Sequence, residues 1–385
     1  MARAAIVTVV AMGLAGVCTN MSLARTPGAH SASAARTPAP VAHEDAAFTA
    51  FIAEMRAKYA LPALAAAFVR DGVITSAVAG VRRLDRIDPV RVDDAFHIGS
   101  VSKPISATVI ATLVEAGTLR WDTSIAEVFP ELAARGRPEY AAMTIEQLLS
   151  HRAGIRPWED DSEINLAPKP TGSPREQRRQ AVAWLLRQEP VAPPGTEYVY
   201  SNAGYLIAAA MAEELSGTAW EALVRERLAE PLGLRTFGFG WPASSDPRQP
   251  WGHWIVTNRL VPHDPNGEYQ GGPWLAAAGD IHMSITDLAR FAQLHLEGQG
   301  GHPGLLAEDT FRKLHHPIGD YALGWNVRGN ADYHLGSMGT FYATIWVSVP
   351  RHVAVVVAMN SPGGAAIISD VISGTLKEFD VPKLP

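Results

Sequence analysis

Strand-like segments stand at both ends of this chain, with a long helix-rich stretch between them. That order constrains the fold more than any other feature. Ala63–Val69 and Val73–Ala79 read as strands joined by Asp71-Gly72, a dipeptide suited to a tight hairpin turn. Near the other end, Phe341–Val349 and Val353–Met359 flank Pro350-Arg351-His352 and read as a second antiparallel pair. Helical patterns cover 44–59 and 365–379 outside these pairs. Between them lie helical patterns at Thr144–Ser150, Arg175–Arg187, Gly204–Leu215, Trp220–Ala229 and Ser284–Leu296. Strands from the two termini then meet in one sheet, and the helices between them form an inserted part. The class is α+β: a mixed antiparallel sheet flanked by helices, with an all-helical domain and a cleft between the two.

The expected boundaries follow: 44–117 and 321–385 form the sheet domain, and 118–320 the helical domain. Ahead of them, Arg3 and the apolar run Ala5–Val17 read as a signal peptide, too short to span a bilayer, with cleavage after Ala24. A lipid-modified Cys18 is the rival reading, and Val17 before it is a poor fit to that processing. Residues 25–43 are rich in Ala, Ser, Thr and Pro and read as a flexible linker. Cys18 is the only cysteine, so a mature exported chain carries no disulfide, catalytic thiol or cysteine metal site. A net charge of -6 gives no general attraction to nucleic acid or anionic membrane. The loop-like stretch from Gly238 to Trp274 holds four tryptophans and reads as a lining of the substrate pocket, or as a loop packed on its own domain.

Ser100-Val101-Ser102-Lys103 opens an apolar helical run. Serine and lysine three apart share a helix face, so an amine is held beside a hydroxyl that it can activate. Pro104 fits only the first turn of a helix, which places the start close to Ser100. Lysine is scarce here: Lys58, Lys103, Lys169, Lys313, Lys377 and Lys383 are all there are. S-x-x-K alone is weak evidence, since chance supplies it in roughly one such chain in three. Tyr200-Ser201-Asn202 follows a Pro-Pro-Gly turn and precedes a helix. A tyrosine beside a cationic lysine would have its phenolate stabilised, which suits general base work. Asn202 suits contacts to both Lys103 and a substrate amide, and also fits a plain helix cap. His334-Leu335-Gly336 is expected to begin the terminal strand along the cleft edge. Gly336 would allow close approach of substrate, and the Ser100 and Ser337 amides would form an oxyanion site.

These three motifs, in this order, resemble the serine beta-lactamase-like family: class C beta-lactamases, family VIII esterases, D-aminopeptidases and DD-peptidases. Leu148–Ile155, Glu230–Leu234 and Ala278–Asp280 are similar to family segments as well, so the resemblance spans about 44–380. It implies a beta-lactamase/transpeptidase-like fold and an acyl-enzyme on Ser100. Lys103 would be its activating partner and Tyr200 the general base or acid. Asn202, His334, Gly336 and Ser337 would line the substrate site, with no metal or other cofactor. A small molecule or peptide is the implied partner, with no nucleic acid and no stable membrane span after signal cleavage. The third motif departs from the class C pattern, where lysine usually stands in place of His334. The expected function is therefore an exported serine hydrolase of ester or amide bonds, with beta-lactams and D-amino-acid peptides among the possible substrates. The alternative is a penicillin-binding sensor or cell-wall binding module that acylates without turnover. No G-x-S-x-G or H-E-x-x-H occurs, which disfavours alpha/beta-hydrolases and metallohydrolases.

Overall fold

The computed structural model describes residues 43–159, 161–267 and 272–379. The expected signal peptide, its cleavage site and nearly all of the linker lie outside these residues. The ends of the chain do share one sheet. Seven strands run in the order His43–Glu44, Val73–Gly80, Ala63–Arg70, Val353–Met359, Tyr342–Ser348, Ala331–Ser337, Asn326–Arg328. All pairings are antiparallel except that of the short first strand. The expected hairpin forms at Asp71-Gly72, whose φ angles of 49° and 76° are those of a tight left-handed turn.

Alternation along the strands divides the core. Leu64, Ala66 and Phe68 face one way, with Val355, Val357 and Met359 of the neighbouring strand. They pack against Phe48, Phe51 and Ile52 of the Ala46–Lys58 helix and Ile368 and Val371 of the Ala365–Glu378 helix. Ala63, Ala65, Ala67 and Val69 point the other way, into a larger core shared with the inserted helices. Two helices are buried on nearly all sides inside this core: Ser102–Glu115 buries twelve of its 14 residues, and Asn202–Ser216 is covered from Ala203 to Glu213. The chemistry-bearing helix is therefore a core element, and its polar side chains must find partners within the protein.

Two expectations need correction. The stretch 238–274 is not structureless: His253–Val256 and Arg259–Pro262 form a hairpin. Its turn, Thr257-Asn258, has φ angles of 46° and 62°, a conformation the sequence hides because neither residue is glycine. His334 does not begin the long terminal strand. It sits within a separate strand, Ala331–Ser337, paired to Tyr342–Ser348 with His334 opposite Ile345. The turn 338–341 divides what reads as one motif-plus-strand segment.

Within the inserted helices, Arg178 is fully buried and gives paired hydrogen bonds to Glu213, at 2.6 and 3.0 Å, and to Glu221, at 2.8 and 3.0 Å. Glu213 also accepts from Trp220 N, so one buried carboxylate ties its own helix to two others. Removing one partner of such a pair leaves a buried charge uncompensated. Arg178→Leu should lower unfolding stability by about 3–5 kcal/mol in urea titrations, and a change below about 1 kcal/mol would contradict this reading.

Candidate active site

Ser100 lies in a 3-10 turn, Gly99–Val101, that leads directly into the Ser102–Glu115 helix. N–H groups of a first helical turn lack intrahelical acceptors, and the helix dipole favours negative charge there. Three contacts hold the helix in place. Ser102 Oγ donates to Gly99 O at 2.7 Å and accepts from Ile281 N at 3.2 Å. One turn on, Ser106 Oγ donates to Ala277 O at 2.6 Å.

Lys103 is fully buried. Its Nζ lies 3.0 Å from Ser100 Oγ, 2.7 Å from Asn202 Oδ1 and 2.8 Å from Ala278 O. Asn202 Nδ2 donates to Trp158 O at 2.8 Å, which fixes the amide with its oxygen toward the lysine. Asn202 Oδ1 and Ala278 O can only accept. A neutral amine satisfies this geometry fully: two N–H bonds go to those oxygens, and the lone pair is left facing the Ser100 hydroxyl. Burial pushes the Lys103 ammonium well below the usual lysine range, against a smaller upward pull from Glu159. The charges therefore differ from those expected for a phenolate beside a cationic lysine. Burial also raises the Tyr200 phenol, although its hydrogen bond to Ser100 opposes the rise. Both shifts favour the uncharged forms, an amine at Lys103 and a phenol at Tyr200.

Tyr200 lies over the amine, with its ring centroid 4.7 Å from Lys103 Nζ. Its position depends on His151, which the motif reading gave no role. His151 is buried with φ of 58°, accepts from Ser201 N at 3.0 Å through Nδ1, and packs 4.4 Å from the Tyr200 ring. Ser201 caps the following helix by accepting from Gly204 N. The cap is Ser201, so Asn202 is left to face Lys103.

Gly336 and Ser337 press against the nucleophile turn. A Cβ on Gly336 would stand 1.9 Å from Ile98 O and 2.9 Å from Ser100 N. One on Gly99 would stand 2.6 Å from Ser337 N. Side chains at these two facing positions would not fit this backbone contact, which sets the Ser337 segment against the Ser100 turn. His334 does not line the cleft. It is buried, its Nδ1–H donates to Leu335 O at 2.7 Å, and its Nε2 accepts from the Tyr321 hydroxyl at 3.2 Å. Burial, with Lys103 adding to it, pushes its pKa down to about 3.

The cleft above Ser100 has a volume of about 330 Å³ and is lined by Trp158, Glu159, Ile164, Asn202, Trp241 and Met338, among others. Of the four tryptophans between 238 and 274, only Trp241 lines it. Trp251 stacks under Arg83 at 3.7 Å, Trp254 donates to His263, and Trp274 packs edge-on against Trp158. Asp280 is nearly buried and accepts from Gly240 N, which leaves Glu159 as the exposed carboxylate of the rim.

Comparison with known proteins adds a family to this geometry. The family model described as "Beta-lactamase" matches residues 48–369. Penicillin-binding protein 4 of Amycolatopsis lactamdurans is 29% identical over 252 residues, which is 63% of this chain and 61% of that protein. An unguisins hydrolase of Aspergillus violaceofuscus is 26% identical over 244 residues, 60% of this chain and 41% of its own length. The chain thus matches about half the length of these relatives. An octameric penicillin-binding protein homologue from Pyrococcus abyssi superposes with a TM-score of 0.71 at 23% identity, covering 87% of this chain and 78% of that one, a likeness of fold.

Two outcomes follow from the packing. Gly336→Ala must push the strand off the Ser100 turn, and should cost about 1–3 kcal/mol of unfolding stability. An unchanged urea midpoint would contradict that contact. The His334 imidazole should show no titration by NMR between about pH 5 and 8, whereas an inflection near 6.5 would mean that it is exposed.

Proposed function

The chain belongs to the beta-lactamase family, and on that premise we propose that it is an exported serine hydrolase that works through an acyl-enzyme on Ser100. One observation carries the reading: the Lys103 amine has only acceptors at two of its contacts, and the Ser100 hydroxyl stands at the third. The Ser100 proton passes to the Lys103 lone pair as Oγ bonds to the substrate carbonyl carbon. The carbonyl π electrons move to oxygen, and the Ser100 and Ser337 amides bind that oxyanion. When the tetrahedral centre collapses, the alcohol or amine leaves and takes a proton relayed from Lys103 through Tyr200. Water then attacks the ester on Ser100, gives its proton to Lys103, and releases the acid as Ser100 Oγ is reprotonated. Asn202 holds the amine and presents its edge to a substrate amide. Gly336 keeps the strand close to the acyl group. Export rests on the expected signal peptide at 1–24.

Charge narrows the substrate. A class C-like third motif would offer a cation to a substrate carboxylate, but the equivalent His334 is neutral and both ring nitrogens are engaged inside the protein. Glu159 adds negative charge at the rim. Both features favour esters and amides without a carboxylate beside the acyl group, and disfavour penicillins and cephalosporins.

A panel tests this: short-chain nitrophenyl esters, D-amino-acid nitroanilides and a chromogenic cephalosporin, each with wild type and Ser100→Ala. Esters or nitroanilides should turn over, the cephalosporin only slowly, and Ser100→Ala should abolish all of it. Lys103→Ala should cost on the order of 10²–10⁴-fold in kcat, as expected for loss of a general base. Because neutral Lys103 is the active form, kcat/KM should rise with pH through an inflection well below the usual lysine value. Full activity in Ser100→Ala would overturn the nucleophile. Efficient cleavage of the cephalosporin alone would overturn the charge argument. A burst with no steady rate would instead identify a sensor that acylates without turnover.

A further inference from the structure

Behind the nucleophile helix, away from the cleft, four polar side chains run in line through apolar core. Thr108 belongs to the Ser102–Glu115 helix, His295 to Ile285–Gln299, His315 to the end of Glu308–His315, and Asp332 to the Ala331–Ser337 strand. Thr108 Oγ1 lies 2.8 Å from Pro104 O and 3.0 Å from His295 Nε2. His295 Nδ1 lies 2.8 Å from His315 Nε2. His315 Nδ1 lies 2.8 Å from Asp332 Oδ2, off the line of a well-directed hydrogen bond and with no other partner. Thr108 and His295 are fully buried, and His315 is nearly so. Phe291, Phe311 and Trp325 pack round His295, with centroids 4.7, 5.5 and 4.8 Å away.

Counting hydrogens leaves two arrangements in which each ring nitrogen and the threonine face a complementary group. Ionised Asp332 and Pro104 O accept only. With both rings neutral, His315 Nδ1–H points to Asp332 and His295 Nδ1–H to His315 Nε2. The Thr108 hydroxyl then donates to His295 Nε2. One added proton reverses the line. His315 now carries N–H on both sides, so His295 must accept at Nδ1 and carry its hydrogen on Nε2. That hydrogen goes to Thr108 Oγ1, and the Thr108 hydroxyl turns to Pro104 O, the carbonyl next to Lys103.

We propose that Asp332, His315, His295 and Thr108 are positioning residues that form a one-proton switch, in which protonation of His315 reverses the hydrogen bonds and moves the Thr108 hydroxyl onto the first turn of the nucleophile helix. The line joins both walls of the site, since Thr108 follows Lys103 on the helix and Asp332 precedes Gly336 and Ser337 on the strand. A hydroxyl bonded back to the carbonyl four residues earlier bends a helix slightly, here directly after Lys103. The groups facing His315 are His295 from one helix, Asp332 from the strand and the Trp325 ring; the nucleophile helix contributes uncharged Thr108 through His295. Charges on its own helix are engaged elsewhere, Arg312 with Glu308 and Asp309 and Lys313 with Glu146. In this switch the added proton goes to His315 because the Asp332 carboxylate stands 2.8 Å from its Nδ1, whereas burial holds the His295 imidazole well below its ordinary range, with His315 adding to the effect.

Long-range ¹H–¹⁵N imidazole NMR of the wild-type protein across a pH titration tests the switch without any variant. His315 should gain a proton. His295 should stay neutral yet change from the Nδ1–H to the Nε2–H tautomer with the same midpoint. A single His295 tautomer throughout, or a His295 that becomes a cation, overturns the proposal. The kinetic arm rests on the hydrolase reading: kcat for the best ester should change several-fold at that midpoint with KM constant within about twofold. The step should vanish in Thr108→Val while the separate Lys103 inflection remains. A step that persists in Thr108→Val overturns the link to the nucleophile helix. If no substrate is turned over, the hydrolase reading fails while the tautomer result still decides the switch.

Discussion

An amine inside the protein, with three uncharged oxygens as its contacts, sets the terms for the rest of the site. In water Lys103 would be cationic, and a buried cation is stable only beside an anion or with full solvation. Its three contacts are a carbonyl, an amide oxygen and a hydroxyl. Each part of that cage depends on a different segment: Ala278 on a short helical turn, Asn202 on an amide pinned by Trp158, and Ser100 on the turn that starts the helix. Burial favours the neutral amine, and with two N–H groups on the two oxygens its lone pair is left for Ser100. The tertiary fold thus tunes the base, because the segments that meet here are about one hundred and seventy-five residues apart along the chain.

The second constraint is steric. The Ser100 turn and the Gly336-Ser337 segment touch because Gly99 and Gly336 face one another. Two residues before Gly336, His334 shares its face of the strand, and its ring is buried with Tyr321 as a partner while the glycine stays against Ser100.

Much of this was legible in the sequence. The Asp71-Gly72 turn, the terminal strands and the helix opening at Ser100 with Pro104 in its first turn carry local signals that do not depend on tertiary context. Ser100, Lys103, Tyr200 and Asn202 could be grouped by motif order, and the fold brings their side chains together. What was hidden is what burial and distant contacts decide. The Lys103 and Tyr200 protonation states follow from desolvation, and a tetrad in a sequence has no depth. Ser201, not Asn202, caps its helix, and a cap looks the same for either residue in sequence. His151 and Tyr321 are single aromatic residues whose importance lies in ring contacts across the chain. The 253–262 hairpin escaped notice because its turn uses Thr257-Asn258 with neither position a glycine.

The central claim is that neutral Lys103 activates Ser100 for acyl transfer. Rapid-quench mass spectrometry of the intact protein with the best nitrophenyl ester tests it most directly, followed by peptide mapping of any adduct. The account predicts one acyl group per chain on the peptide containing Ser100, formed faster as pH rises through the lowered Lys103 range, and scarcely formed in Lys103→Ala. Turnover with no adduct on that peptide, or an adduct forming at the wild-type rate in Lys103→Ala, would contradict it.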